Sequence, residues 1–378
     1  MNCLLLKIKQ LQVNKSLSNF LKFFIFLGVG LTILYLLYQN QDAAYRAQCV
    51  VDNIPAEECS LMQKLIDDFT SANYFWIGMV LVAFIISNIS RAIRWNMLIH
   101  PLGYTPKLIN SFLTITIGYF ANLGLPRIGE VVRGGMISQY EKIPVEKAMG
   151  TIVTDRIVDV ISLLSVIGLA FVLQFDKLWG FLSTEMSKGK GGGSLLGNPI
   201  VLTLLAGGFV ALLLLLVFRK KIMESAFFQK ILNVLKGFGE GLQTIRKLDR
   251  PGWFIFHSCN IWLMYFFMTY LCFFSFAPTA GLGPMAGLVV FVFGAFGIVI
   301  PSPGGMGTYH LLAMAALSMY GINEADSFSF ANILFFSVQI GCNVLLGCTA
   351  LLLLPIINRN YEPIVPTEQH KTTEKALS

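Results

Sequence analysis

The sequence predicts an all-α integral membrane protein with about six full crossings and two re-entrant helical hairpins. The chain has 378 residues, of which 55% are hydrophobic and only 13% are charged. A soluble domain has too little polar exterior to cover so much apolar surface. Several windows of about 20 residues carry almost no charge, which is the length of helix that spans the hydrocarbon core. The short alternating segments of a membrane β-barrel are not evident.

Residues 1–185 are predicted to form the first of two membrane repeats. Its elements are expected as helices near 18–39, 75–90 and 150–173, with a hairpin over 108–140. The first apolar run follows a basic N-terminus and is longer than the core of a signal peptide, so an uncleaved helix is expected. The polar loop 40–74 contains Cys49 and Cys59, for which a disulfide is plausible if the loop faces an oxidising compartment.

A linker rich in glycine, serine and lysine, 186–197, precedes the second predicted repeat, 198–355. Its elements are expected as helices near 198–218, 252–275 and 328–354, with a hairpin over 283–320. The polar segment 356–378 is predicted to be a cytoplasmic tail.

The distribution of basic residues predicts which loops face the cytoplasm. Most of the 28 lysines and arginines lie in the segments 1–17, 91–107, 125–149, 219–250 and 355–378. The loops 40–74 and 174–197 contain few, and 276–327 contains none. The positive-inside rule therefore places both termini in the cytoplasm, with the protein integral to the cell (inner) membrane. The same rule explains the formal charge of +7, and no nucleic-acid partner is expected.

This sidedness requires the two hairpins, because each begins and ends on one side of the membrane. The first is expected to enter from the cytoplasm and turn near 122–126, and the second to enter from outside and turn at 301–307. The two halves then share an order of elements but have opposite orientations. Inverted repeats with broken helices indicate a transporter-like site at the repeat interface. The alternative is a plain bundle of eight or nine crossings.

The turn of the second hairpin is the strongest candidate for ligand contact. Its prolines and glycines break the helix and expose backbone N–H groups, which favour an anion such as phosphate. The residues expected at this site are Pro301, Ser302, Pro303, Gly304, Gly305 and Gly307, with Thr308, Tyr309 and His310 as side-chain donors. The alternative is a tight structural turn.

A second candidate group follows the turn of the first hairpin. Arg127, Glu130 and Arg133 are spaced by threes and lie on one side of a helix, where they can pair. Two guanidinium groups around one carboxylate leave positive charge, which suits a phosphate. An ordinary cytoplasmic face with a weak ion pair is the alternative.

A third group, Asp155, Arg156 and Asp159, begins the helix near 150–173. Ionisable residues in a membrane helix usually face the bundle interior. The sequence is equally compatible with a substrate role and with a structural ion pair to Arg127 or Arg133. Arg91-Ala-Ile-Arg-Trp95, in contrast, is interpreted as an interfacial anchor at a helix end.

No catalytic residue, cofactor or metal site is predicted. The sequence has no hydrolase elbow, P-loop, zinc signature or dinucleotide fingerprint. The four histidines and seven cysteines form no metal-binding pattern.

Four motifs together resemble the lysylphosphatidylglycerol synthase/flippase transmembrane-domain family. They are Arg91 to Trp95, Asn122 to Arg133, Asp155 to Asp159 and Pro301 to Gly307, and the resemblance extends over about 18–355. It implies a membrane domain that moves an aminoacylated phospholipid between leaflets. In some members a cytosolic domain makes that lipid. Here the chain stops soon after the last predicted helix, so a synthase domain is not expected, and the substrate is left open.

The resemblance implies that the lipid head group is bound by Arg127, Glu130, Arg133, Asp155, Arg156, Asp159 and the 301–307 turn. The leading hypothesis is a lipid translocase whose partners are membrane phospholipids or a lipid-linked substrate. Movement of the lipid would be downhill or coupled to an ion, and transport is expected rather than covalent chemistry by an enzyme. The alternatives are a membrane-embedded transferase acting on a lipid-linked substrate, and a non-catalytic subunit of an envelope-lipid assembly with a separate synthase or assembly partner.

Overall fold

The computed structural model describes residues 28, 32, 34–50, 55, 59–124, 128–188, 248–299 and 305–364. The predicted helix 198–218, the linker 186–197 beyond residue 188, and most of the tail lie outside these residues. Helices make up all the regular structure described, and no described residue lies in a strand. The predicted all-α class is therefore confirmed for this part of the chain.

Twelve helices can be delimited within the described residues. They are α1 (34–50), α2 (Leu61–Ser71), α3 (Tyr74–Ile99), α4 (Leu108–Gly124), α5 (Ile128–Glu141), α6 (Val145–Leu173), α7 (Phe175–Lys188), α8 (Pro251–Phe273), α9 (Pro284–Val299), α10 (Thr308–Ser318), α11 (Glu324–Phe335) and α12 (Asn343–Ile357). A π-helical segment, Phe336–Cys342, joins α11 to α12.

Four of the described helical stretches are long and apolar enough to cross a membrane. They are α3 with the turn that follows it, α6, α8, and the continuous stretch from α11 to α12. These stretches indicate an integral membrane protein. Contacts divide the chain into two compact units, 1–170 with 252–378, and 171–251. In the second unit the structure describes chiefly α7.

Two segments that were predicted as loops are helical. The prediction that the first helix ends near 39 is wrong, because α1 continues to residue 50. Its polar end is stabilised by the i,i+4 ion pair of Asp42 and Arg46, 2.8 Å apart. α2 begins at the N-cap Ser60, whose hydroxyl accepts a hydrogen bond from the Gln63 N–H. The loop predicted over 174–197 contains α7.

The segment between α1 and α2 is closed by a disulfide between Cys49 and Cys59, with Cα atoms 6.2 Å apart. The start of α2 is thereby fixed beside the end of α1. On its other side, Lys64 of α2 forms ion pairs with Asp68 at 2.7 Å and with Asp326 of α11 at 2.8 Å. Burial lowers the pKa of Lys64, but its hydrogen bonds to Asp326 and Asp68 outweigh this effect and raise it. The cation that links α2 to α11 is therefore retained at neutral pH.

Short helices form two closely packed pairs at the positions of the predicted hairpins. In the first pair, a Cβ on Gly118 of α4 would lie 2.9 Å from the carbonyl oxygen of Gly129 on α5. The Gly129 N–H donates to Oδ1 of Asn122 at 2.7 Å. The missing side chains allow the two backbones to approach, so α4 and α5 are held together. Residues 125–127 between them lie outside the described residues.

The second pair, α9 and α10, is also packed closely at a glycine and joined by a hydrogen bond between a side chain and the backbone. A Cβ on Gly297 would lie 2.6 Å from Cα of Tyr309, and the Thr308 hydroxyl donates to the Gly297 carbonyl at 2.7 Å. Gly305 and Gly307 both have φ of 82° in the segment before α10, a conformation that other residues adopt only with strain. The helical path is therefore broken between α9 and α10.

The ends of α4, α5 and α12 meet at a buried carboxylate. Glu141 is 3% exposed and accepts hydrogen bonds from the Lys107 N–H at 3.0 Å, from Asn110 at 2.6 Å and from the Tyr361 hydroxyl at 2.9 Å. Asn358, which follows α12, pairs with Asn110. Burial, together with the hydrogen bond and charge of Glu141, raises the pKa of Tyr361 to about 12, so the phenol remains a donor at neutral pH.

Replacing this donor should destabilise the fold without altering the membrane helices. We expect Tyr361→Phe to lower the free energy of unfolding by about 1–2 kcal/mol, because a charged, buried acceptor loses a hydrogen bond. A lower midpoint of thermal unfolding in detergent would show this. Tyr35→Phe is the matched control, since Tyr35 is 58% exposed. Equal midpoints for both variants would contradict a stabilising contact at Glu141.

Candidate functional site

A cluster of charged side chains from α3, α5 and α6 is centred on Asp155, whose side chain is fully buried. Its carboxylate accepts hydrogen bonds from Arg94 at 2.6 and 2.9 Å and from Arg91 at 3.3 Å. Arg133 of α5 donates to the same carboxylate at 3.1 Å. Of the alternatives that the sequence left open for Asp155, the structure shows the structural ion pair with Arg133. One aspartate therefore joins three helices.

Asp159, one turn further along α6, is the second carboxylate of the cluster. It accepts hydrogen bonds from Arg91 at 2.7 Å and from Arg94 at 2.6 Å. Arg156 lies 3.4 Å from it on the same helix. Arg91 also donates to the hydroxyl of Tyr265 at 3.1 Å, so α8 is tied to the cluster as well.

The cluster has an excess of positive charge, because four guanidinium groups face two carboxylates. Removing one partner of a buried ion pair leaves the other charge buried without a partner, which costs about 3–5 kcal/mol. The arginines and aspartates of the cluster therefore depend on one another. The four arginines differ in accessibility: the side chain of Arg156 is 38% exposed, whereas those of Arg91, Arg94 and Arg133 are at most 4% exposed. Arg156 is therefore the cation best placed to meet a ligand.

The interpretation of Arg91 to Trp95 as an interfacial anchor is wrong. α3 continues to Ile99, which places Arg94 about 8 Å and Arg91 about 12 Å inside its end. Trp95 is fully buried; its indole N–H donates to Thr151 at 2.9 Å, and the Arg133 guanidinium lies 3.7 Å from its ring centroid. These side chains build the site instead of anchoring the helix.

A cavity of about 550 Å³ begins at the charged cluster, which is within the usual range of about 300–1,000 Å³ for small-molecule sites. Side chains with charged or hydrogen-bonding groups form one end of it: Arg91, Tyr119, Asn122, Glu130, Arg156, Asp159 and Tyr265. This end combines cations with hydrogen-bond acceptors.

The rest of the cavity wall is mostly apolar. It includes Phe84, Leu123, Val160, Leu163, Trp262, Met268, Val290, Phe291, Ile298, Val299, Leu334 and Phe335. Val160, Ile298 and Val299, which belong to this wall, are 44%, 43% and 59% exposed, so the apolar part of the wall is partly open.

Residues of both pairs of short helices line this cavity. Asn122 of α4 and Glu130 of α5 belong to the first pair, and Gly305 and Tyr309 belong to the second. The π-helical segment contributes Gln339 to the wall, and π-helical turns occur frequently at functional sites.

The remaining predicted residues lie elsewhere or cannot be placed. Gly307 is the N-cap of α10, and the Thr308 hydroxyl donates to backbone carbonyls. His310 is fully buried, with its ring centroid 4.8 Å from that of Phe335, and is not part of the cavity wall. Arg127 and the residues 301–304 lie outside the described residues.

Several cavity residues were missed by the sequence analysis, namely Arg91, Tyr119, Asn122 and Tyr265. The spacing of Arg91 and Arg94 by three, within a helix that continues into apolar sequence, was the available signal. No comparable signal marks Tyr119 or Tyr265, since aromatic residues are common in membrane helices. In the described part of the chain no group of three His, Cys, Asp or Glu residues could hold a metal ion.

Comparison with known proteins gives the same family as the motifs. The model of the family described as "Lysylphosphatidylglycerol synthase TM region" matches residues 60–347. A UPF0104 membrane protein of Methanocaldococcus jannaschii is 29% identical over 101 residues, a match that covers 26% of this chain and 30% of the relative. No solved structure matches the chain. The match over residues 60–347 contains every helix of the charged cluster and every residue that lines the cavity, and the chain belongs to the lysylphosphatidylglycerol synthase transmembrane-region family.

Proposed function

We propose that this protein is a lipid translocase, which moves a phospholipid or lipid-linked amphiphile between the leaflets of the inner membrane. The observation that carries the proposal is the cavity with a charged end and an apolar wall. An amphiphile has the same two parts, a polar head group and hydrocarbon chains. The family membership supports a lipid as the ligand.

The phosphate of such a lipid fits the polar end. Arg156 is accessible, and its guanidinium can bind two phosphate oxygens at once. Behind it, the excess positive charge of the buried cluster adds attraction that is little screened at low dielectric. Arg91, Arg94 and Arg133 keep the cluster in place, because their side chains already bind Asp155.

The acyl chains of the lipid fit the apolar part of the cavity wall. The exposed positions of Val160, Ile298 and Val299 let the chains remain in the bilayer while the head group occupies the cavity. The cost of moving a charged head group through hydrocarbon is reduced, because polar side chains replace part of its hydration.

The proposal includes the membrane topology that the sequence predicts. The pairs α4–α5 and α9–α10 are re-entrant hairpins that enter from opposite faces, related by an inverted repeat, with both termini in the cytoplasm. In support, α4 and α9 have only 17 and 16 residues, or about 25 Å of helix, and the residues next to both turns line one cavity. Broken helices around a central site are typical of transporters.

Removing the accessible cation should slow lipid movement. We expect Arg156→Ala to reduce the rate of leaflet exchange about tenfold, which corresponds to the loss of one charge-assisted hydrogen bond of about 1.4 kcal/mol. The measurement is quenching of fluorescent phospholipid in vesicles that contain the purified protein.

Arg46→Ala is the control for this experiment, because Arg46 is 63% exposed in an i,i+4 pair outside the site. It should retain the rate of the unmodified protein. Exchange that is no faster with the unmodified protein than in protein-free vesicles would refute the translocase, and full activity of Arg156→Ala would remove Arg156 from the site.

A water-soluble thiol reagent should reach the cavity wall from both hairpins. We expect Leu123→Cys and Ala295→Cys to react with a charged maleimide, because both positions line the cavity, one on α4 and the other on α9. The background variant has Cys3, Cys259, Cys272, Cys342 and Cys348 replaced by alanine, which leaves only the disulfide-bonded Cys49 and Cys59. Leu352→Cys, 69% exposed on α12 and outside the cavity, is the lipid-facing control. Equal labelling of all three positions, or labelling of none, would count against a hydrated cavity between two re-entrant turns.

A further inference from the structure

A second, much smaller cavity lies beside the polar end of the large one. Its volume is about 10 Å³, and it is lined by Tyr119, Asn122, Gly129, Glu130, Arg133 and Arg156 among others. This is space for one water molecule. A phosphate group is several times larger than this cavity, so the cavity itself does not hold the phosphate of a lipid.

Buried polar atoms around this small cavity have no hydrogen-bond partner among the described residues. They are Nε and Nη2 of Arg133, Nε of Arg156 and Oε2 of Glu130. Arg133 is only 3% exposed, and buried polar groups without partners are costly. The set contains both donors and an acceptor.

A water molecule can satisfy two of the three donors and the acceptor, since its oxygen accepts from two guanidinium N–H groups while it donates a hydrogen to the carboxylate. A halide ion would also accept from the arginines. However, it would leave Oε2 of Glu130 without a donor and would be repelled by that carboxylate. The chemistry of the lining therefore favours water.

Glu130 also lines the large cavity, together with Arg156. Its backbone is fixed because the neighbouring Gly129 N–H is bonded to Asn122 and because α5 packs closely on α4 at Gly118. No described residue donates a hydrogen bond to the Glu130 carboxylate. An acceptor without a donor thus shares the cavity with the cation proposed to bind phosphate.

We infer that Glu130, held from behind by a water molecule bound to Arg133 and Arg156, is the residue that selects the lipid head group. It selects head groups that carry an O–H or N–H donor beyond the phosphate. With the phosphate at Arg156, a hydroxyl or primary amine donates to the Glu130 carboxylate. A trimethylammonium group has no such donor and leaves the carboxylate unsatisfied. This inference rests on the proposed lipid translocation.

The test compares acyl-labelled fluorescent analogues in phosphatidylcholine vesicles that contain the full chain. We expect leaflet exchange of the phosphatidylethanolamine and phosphatidylglycerol analogues to be about tenfold faster than that of the phosphatidylcholine analogue. Glu130→Leu should abolish this difference while some exchange of all three analogues remains. Glu130→Gln, which keeps a carbonyl acceptor, should retain part of the difference, and thermal unfolding of both variants verifies that they fold.

The outcomes separate the two proposals. If the unmodified protein exchanges all three lipids equally, the selection by Glu130 is refuted and translocation stands. If it exchanges none of them, translocation itself is refuted. A preference that survives in a folded Glu130→Leu variant also overturns the inference. In an experimental density map, a water-sized peak bonded to both Arg133 and Glu130 is expected, whereas a halide bonded to the arginines alone would contradict the water-mediated support.

Discussion

The structure depends on the pairing of buried arginines with Asp155 and Asp159. Ionisable groups buried between membrane helices are costly without a partner, so each of these charges is paired within the protein. Because the arginines come from α3 and α5 and the aspartates from α6, the positions of three helices are set by one network. The same network holds one end of the large cavity polar and positively charged, while the apolar wall follows from the ordinary composition of membrane helices.

The two glycine-mediated contacts complete this arrangement. Gly118 and Gly129 bring α4 against α5, and Gly297 brings α9 against α10. In both pairs a side chain near the turn bonds to the backbone of the facing helix: Asn122 accepts from the N–H of Gly129, and Thr308 donates to the carbonyl of Gly297. Both pairs of helices are thus held by packing and hydrogen bonds next to the cavity. In the proposed function, a head group enters between these two pairs.

Much of this organisation could be predicted from the sequence, because hydrophobic runs and Pro/Gly breaks are local properties. Gly305 and Gly307, which have positive φ, lie within the second predicted interruption. The partners of a buried charge are not local. The rule that arginines at the ends of apolar runs are anchors failed for Arg91 and Arg94, since the true end of α3 lies beyond them. Likewise, the sequence could not distinguish Arg156, which faces the cavity, from Arg133, which is buried behind it.

The central claim is that the charged end of the cavity binds the phosphate of a lipid. A high-resolution structure of the protein in bilayer discs that contain phosphatidylglycerol tests it most directly. The account predicts a lipid whose phosphate oxygens lie about 3 Å from the Arg156 guanidinium, with its chains leaving the cavity past Val160 and Val299. A cavity filled by acyl chains, with every phosphate at the membrane surface, would contradict it.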